Sequence, residues 1–208
     1  MTTILTARRH GPRDFRRIAL TFDDGPGRVT ELILEALSRH RARATFNVLG
    51  ERVRGREGLL RRTLAEGHEI GNHALCHERL AGRPRETFRQ LRATNAAIRD
   101  AAGVTPRVFR APYGAVTRSV VLAARLAGLV TVRWDVDPHD YETPGAEAIH
   151  RRVVRRVEPG SIVLLHDDRK ALDQTAVAVE WIVRDLGERG FEFVPVSELL
   201  GLDRRGPS

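Results

Sequence analysis

Short runs of β-branched and aliphatic residues recur along the chain, separated by longer stretches in which apolar positions return every three or four residues. The short runs predict strands near 17–22, 43–48, 68–72, 106–110, 129–135, 161–166 and 191–195. Between them, Val29, Leu32, Ile33, Ala36 and Leu37 form one apolar stripe, and Leu172, Ala176, Val179, Val183 and Leu186 form another. Further helices are expected over 56–66, 83–102, 117–127 and 145–157, with Gly67, Gly103, Gly128 and Gly190 where helices should stop. Seven units in strict alternation imply an α/β fold: a parallel sheet with helices packed outside it, closed into a barrel or wound open.

The polar residues choose between those shapes. Asp23 and Asp24 follow the first strand, His73 and His77 the third, Arg110 and Tyr113 the fourth, Asp137 and Asp140 the fifth, and His166 the sixth. In a barrel, the loops after every strand converge on one mouth, whereas an open sheet gathers only those near a switch point. Five contributing strands favour a barrel. With 208 residues the chain is short for eight units, so a distorted, incomplete (β/α) barrel of about seven parallel strands is expected. The same length suits one domain, with a lead-in over 1–16, the barrel over 17–201 and a tail over 202–208.

Charge and cysteine content narrow the classes. The formal net charge is +8, but Lys170 is the only lysine and the arginines are spread along the whole chain. A nucleic-acid footprint is a cluster, so nucleic-acid binding is not expected. The densest run, Arg151, Arg152, Arg155 and Arg156, alternates with Val153, Val154 and Val157 as the wet face of an amphipathic helix. Cys76 is the only cysteine, so there is no intrachain disulfide, and no apolar run is long enough to span a bilayer. Met1 to Arg17 lacks the apolar core of a signal peptide, which reads as cytoplasmic, or as secreted if a leader has been trimmed. Oligomeric state is not legible.

The candidate chemistry sits at the strand ends. In Thr21-Phe22-Asp23-Asp24-Gly25-Pro26, adjacent carboxylates at a fraying strand end point to different sides, so one can hold a metal while the other handles protons. Taken alone the segment also reads as a turn. His73 and His77 are four apart, a spacing that on a helical turn lets both reach one cation; with Asp24 they make two nitrogens and one oxygen. That set suits a catalytic zinc and also resembles the facial arrangement of non-haem iron. Asn72 reads as a loop cap, and Cys76 as a small buried residue turned from the histidine face. In Arg110-Ala111-Pro112-Tyr113-Gly114, a guanidinium is placed to clamp a carboxylate such as Asp23. His166 ends an apolar strand as a core residue or a general acid, with Asp137 or Asp140 to hold its tautomer. His10, His40, His68, His139 and His150 read as surface or structural residues.

The elements Thr-Phe-Asp-Asp-Gly-Pro, His-x-x-x-His, Arg-x-Pro-Tyr, Asp-x-x-Asp and Leu-x-His run in order from residue 21 to 166. In order and residue type they resemble the polysaccharide deacetylase family, also called the NodB-homology or carbohydrate esterase family 4 domain. The resemblance implies a metal-dependent N- or O-deacetylase, mostly acting on N-acetylglucosamine units of chitin or peptidoglycan, in a distorted β/α barrel. It implies that Asp24, His73 and His77 hold the metal, usually zinc with cobalt or nickel tolerated, and that Asp23 is the general base. His166 would protonate the leaving amine, Arg110 would fix Asp23 and Asp140 would orient His166. The Tyr113 backbone N–H would stabilise the oxyanion, Leu164 and Tyr141 would line an acetyl pocket, and Trp134 is expected at the substrate wall.

Two positions depart from the family pattern: Ala74 stands where Ser or Thr is usual, and Tyr141 where Trp is usual. Without a leader or a carbohydrate-binding appendage, a small N-acylated biosynthetic intermediate competes with a wall polymer as substrate. An iron oxygenase and a catalytically silent carbohydrate-binding module are the alternatives from other classes.

Overall fold

In the computed structural model, residues 6–168 and 173–202 are described; Leu172 and Lys170, the opening Met1-Thr2-Thr3 and the tail beyond 202 lie outside them. The strands are β1 (Arg17–Asp23), β2 (Thr45–Val48), β3 (Glu69–Asn72), β4 (Val108–Phe109), β5 (Val130–Thr131), β6 (Ile162–His166) and β7 (Glu192–Phe193). The helices are α1 (Arg28–Arg39), α2 (Glu57–Ala65), α3 (Pro84–Ala102), α4 (Arg118–Leu126), α5 (Ala146–Arg156), α6 (Asp173–Glu188) and a short α7 (Val196–Leu199) that sequence periodicity did not signal. Among the described residues no helix is long and apolar enough to cross a membrane.

All strand pairings are parallel, in the order β5-β4-β3-β2-β1-β6, with β7 paired to the start of β1. The sheet curls until the chain beyond β5 meets β6: Val136 bridges Val163, and the Leu164 N–H donates to the Val136 carbonyl at 2.9 Å. Lower down the wall stays open between β5 and β6, and the N-terminal segment plugs it, Arg8 bridging Val132 and His10 bridging Ser161. This is the distorted, incomplete barrel.

Strand periodicity decides what faces where. On β1, Ile18, Leu20 and Phe22 point outward and pack under Ile33, Leu34 and Leu37 of α1, with Phe22 stacked on Phe46 of β2 at a ring separation of 5.0 Å. Fully burying side chains of this kind contributes about 1.5–3 kcal/mol each. The alternate positions face the barrel axis. Ala19, Val108 and Ile162 make an apolar floor with Val194 and Val196. Two or four residues beyond the floor positions of β1, β4 and β6 come Thr21, Asp23, Arg110, Leu164 and His166, and β2 adds Asn47, so the pleat that builds the outer core also lifts a largely polar layer to the mouth.

Candidate functional site

Arg110 is the keystone of that layer. Its side chain is fully buried, and Nη1 donates to Thr21 Oγ1 at 2.6 Å and to Asp23 Oδ1 at 2.9 Å, while Nη2 donates to the Arg133 carbonyl at 3.0 Å. Asn47 Nδ2 donates to the same Asp23 oxygen at 2.7 Å. A buried carboxylate is tolerable only when paired and hydrogen-bonded, and Asp23 is both. Asn47 and Thr21 were not singled out from the sequence; the available signal was an amide and a hydroxyl at inward positions of otherwise apolar strands.

Asp24, one residue on, adopts a left-handed backbone (φ 77°), which turns its carboxylate into the mouth toward two imidazoles. His73 Nε2 lies 3.2 Å and His77 Nε2 3.3 Å from Asp24 Oδ1, and the three ligand atoms all lie within 4.8 Å of one another. His73 Nδ1 sits 2.9 Å from the Arg110 carbonyl oxygen, which can only accept, so Nδ1 carries the proton and Nε2 of the neutral ring presents a lone pair. It therefore faces Asp24 Oδ1 acceptor to acceptor. That oxygen is buried without a hydrogen-bond donor among the described residues. Converging acceptors of this kind fit a cation, and two atoms each ~2.0–2.1 Å from a tetrahedral zinc stand about 3.3 Å apart. Burial raises the Asp24 carboxyl, but with no cation between them a protonated His73 would donate to it, and that hydrogen bond and charge, with the charges of His77 and His166, outweigh burial and hold Asp24 far below the usual carboxylate range. Burial lowers His77 more than Asp24 raises it.

The histidine pair is not on a helical turn, as its spacing suggested. Residues 73–77 form an irregular loop with Ala74 left-handed at φ 70°. Asn72 holds that loop: Oδ1 accepts from the Ala74 N–H at 2.8 Å, and Nδ2 donates to the Leu91 carbonyl and to Asn95 Oδ1 on α3. The bond to the Ala74 N–H uses the backbone and does not depend on the side chain at that position. Cys76 is half-buried, not buried, with Sγ 3.7 Å from Gln90 Oε1.

Across the mouth, Asp140 is completely buried and receives the His166 backbone N–H at 2.9 Å, His166 Nδ1 at 2.8 Å and the Thr175 hydroxyl at 3.0 Å. A carboxylate only accepts, so Nδ1–H points at Asp140 and Nε2 is left facing the cavity. Burial alone would lower the imidazole, but the hydrogen bond and charge of Asp140, with Asp23 and Asp24, push it up to about 9. Asp137, the other acid considered for His166, instead accepts the His139 N–H at 2.8 Å and shapes the loop. Among the remaining histidines, His68 is buried and structural, its Nδ1 accepting the Ala44 N–H at 3.1 Å.

Asp23, Asp24, His73, His77 and His166 line one cavity of about 420 Å³, together with Tyr113, Trp134, Tyr141 and Leu164. Tyr113 packs edge-on against His77 at 4.3 Å, and Tyr141 edge-on against His166 at 5.4 Å, so each wall ring steadies an imidazole. A Cβ at Gly114 would fall 2.7 Å from Trp134 Cη2, so only glycine lets the indole close against the Tyr113 turn. Arg79, Asp137 and Asp168 also line the cavity.

Among known proteins, the chain is 40% identical over 198 residues to a chitooligosaccharide deacetylase of Bradyrhizobium sp., covering 88% of this chain and 90% of that one. It is 39% identical to the peptidoglycan-N-acetylglucosamine deacetylase PgdA of Listeria monocytogenes, covering 89% of this chain but 39% of that longer protein. Its fold superposes on a family 4 acetyl xylan esterase from Clostridium thermocellum, solved with a cobalt ion, at a TM-score of 0.85 and 35% identity, covering 89% and 91% of the two chains. The family model described as polysaccharide deacetylase matches residues 10–132, more than half of the sequence and the stretch that carries Asp23, Asp24, both cavity histidines and Arg110. On sequence and fold, the chain belongs to the polysaccharide deacetylase family.

Proposed function

We propose that the chain is a metal-dependent hydrolase that removes acetyl groups from N-acetylated sugars, with N-acetylglucosamine-containing oligo- or polysaccharide as substrate. The observation that carries this reading is the convergence of three acceptors from Asp24, His73 and His77, with the Arg110-held Asp23 beside them and the Asp140-held His166 opposite. Asp24, His73 and His77 would hold a divalent cation, and two nitrogens with one oxygen favour zinc, with cobalt or nickel as substitutes. When bound, the cation supplies Lewis-acid polarisation of the acetyl carbonyl and makes water acidic enough to attack at neutral pH.

The chain's own groups then move the protons. Asp23, oriented by Arg110 and Asn47, takes a proton from the attacking water as its oxygen bonds to the acetyl carbon. The Tyr113 backbone N–H donates to the oxyanion of the tetrahedral centre. His166, charged through Asp140, gives its Nε2 proton to the sugar nitrogen as the C–N bond breaks, leaving acetate and a free amine. Leu164 and Tyr141 enclose the acetyl methyl, and Trp134 offers an apolar face to the ring.

The curated relatives named above are deacetylases of chitooligosaccharide and of peptidoglycan N-acetylglucosamine, and this supports an N-acetyl over an O-acetyl substrate. The test is acetate release from N-acetylglucosamine oligomers with and without chelator. Turnover that survives both metal removal and Asp23→Asn would overturn the mechanism.

A further inference from the structure

Asp167 follows His166 and is buried to 1% exposure, yet the mechanism above has no use for it. A carboxyl this deep is costly unless its contacts matter to the structure around it. Its contacts reach the end of β1, the loop that follows it with Asp24, and the first turn of α1. Thr30 Oγ1 donates to Asp167 Oδ2 at 2.6 Å, and the same hydroxyl oxygen accepts the Gly27 N–H at 2.8 Å. The Asp167 backbone N–H donates to the Asp23 carbonyl at 3.1 Å. Packing is equally close: a Cβ at Gly25 would stand 2.6 Å from Asp167 Oδ1, and one at Gly27 would stand 3.0 Å from the Asp167 carbonyl oxygen. On the other side of the loop, the Leu49 N–H donates to the Gly25 carbonyl at 2.9 Å.

Asp24 needs such support. A non-glycine residue at φ 77° is in a sparsely populated conformation, and it persists only when its surroundings over-determine it. We propose that Asp167 is a positioning residue for the metal-ligand loop, its side chain and Thr30 together pinning residues 25–27 so that Asp24 faces His73 and His77. The role rests on the metal reading above. It concerns the backbone that presents a ligand, one step further out than the partners that orient the ligands themselves.

Zinc affinity of the full chain, measured by competition with a chelating dye, tests the proposal, alongside thermal unfolding of the metal-free proteins. Thr30→Val, which replaces the hydroxyl with a methyl of similar size, and Asp167→Ala should each weaken zinc binding about ten-fold or more, while Asp167→Asn, which keeps an acceptor oxygen for Thr30, should stay within about three-fold of wild type. Wild-type zinc affinity in Thr30→Val overturns the role, even if metal-free unfolding moves, because a merely structural contact would lower stability alone. Loss of affinity in Asp167→Asn equal to that in Asp167→Ala also overturns it. If Asp167→Ala does not fold, Thr30→Val decides. A wild-type protein that takes up no zinc would overturn the metal reading itself, an outcome separate from either.

Discussion

Arg110 Nη1 and Asp23 Oδ1 form an ion pair 2.9 Å long in which the arginine side chain is entirely buried and the aspartate is 5% exposed. The two residues are contributed by β1 and by the chain just after β4, with β2 and β3 between them in the sheet. The pair therefore ties opposite walls of the barrel mouth and fixes a carboxylate next to the candidate metal ligands.

Removing one partner strands the other. Arg110→Ala should destabilise the protein by about 3–5 kcal/mol, because Asp23 would remain as an uncompensated buried charge. Denaturant unfolding followed by circular dichroism would measure this, and a loss below ~1 kcal/mol would show that the pair is not structural.

Asp23→Asn separates chemistry from architecture. The amide oxygen can still accept from Arg110 and Asn47, so zinc affinity should hold within a few-fold. Acetate release from N-acetylglucosamine oligomers should nevertheless fall about a hundred- to ten-thousand-fold, since an amide takes no proton. Equal activity in the two proteins would remove Asp23 from the role of base.

The Asp140–His166 pair sets a pH window. His166 is raised from 6.5 to about 9, so its stabilising contribution is complete below about 6.5 and is lost as pH rises through about 9. The form that can act as an acid follows the same course, placing a falling limb of kcat on the alkaline side. Hydrogen bonds to charged groups contribute about 1.5–3 kcal/mol, so Asp140→Asn should move that limb toward neutrality by about one pH unit or more. An unmoved limb would mean that another group is the acid.

Zinc should stabilise the folded chain. At one hundred times its dissociation constant the gain is about 2.7 kcal/mol, readable as a rise in unfolding temperature that EDTA reverses. Asp24→Asn and His73→Ala should abolish the rise. His77→Ala should weaken it less, because the His77 side chain is 30% exposed against 2% for His73 and a water can replace it more readily. No shift in the wild-type protein would contradict a metal at these three residues.

Much of the fold was legible because it is written in local periods. The runs at 17–22 and 161–166 become β1 and β6 within a residue or two, and the stripe from Val29 to Leu37 is the buried face of α1. The expected strands at 106–110 and 129–135 shrink to two residues each. Beyond β5 the chain leaves β4 and crosses to β6, where Asp135 and Val136 donate to the Ile162 carbonyl. Such a change of partner leaves no mark in the alternation of side chains. The histidine loop was misread for a related reason: a spacing of four fits a helix, but Asn72 and a left-handed Ala74 achieve the same convergence without one.

The order of strands and helices, and the placing of reactive side chains at strand ends, follow from the sequence by itself, because both depend on residues a few positions apart. Which acid serves which base depended on the tertiary structure. Asp140 reaches His166 while Asp137 three residues earlier does not, Asn47 joins Arg110 on Asp23, and Asp167 packs under the loop that presents Asp24. These pairings span 24 to 142 residues of chain between Asn47 and Asp23 and between Asp167 and Gly25. They are set by parallel register and by the curl of the sheet, which exist only once the barrel has closed.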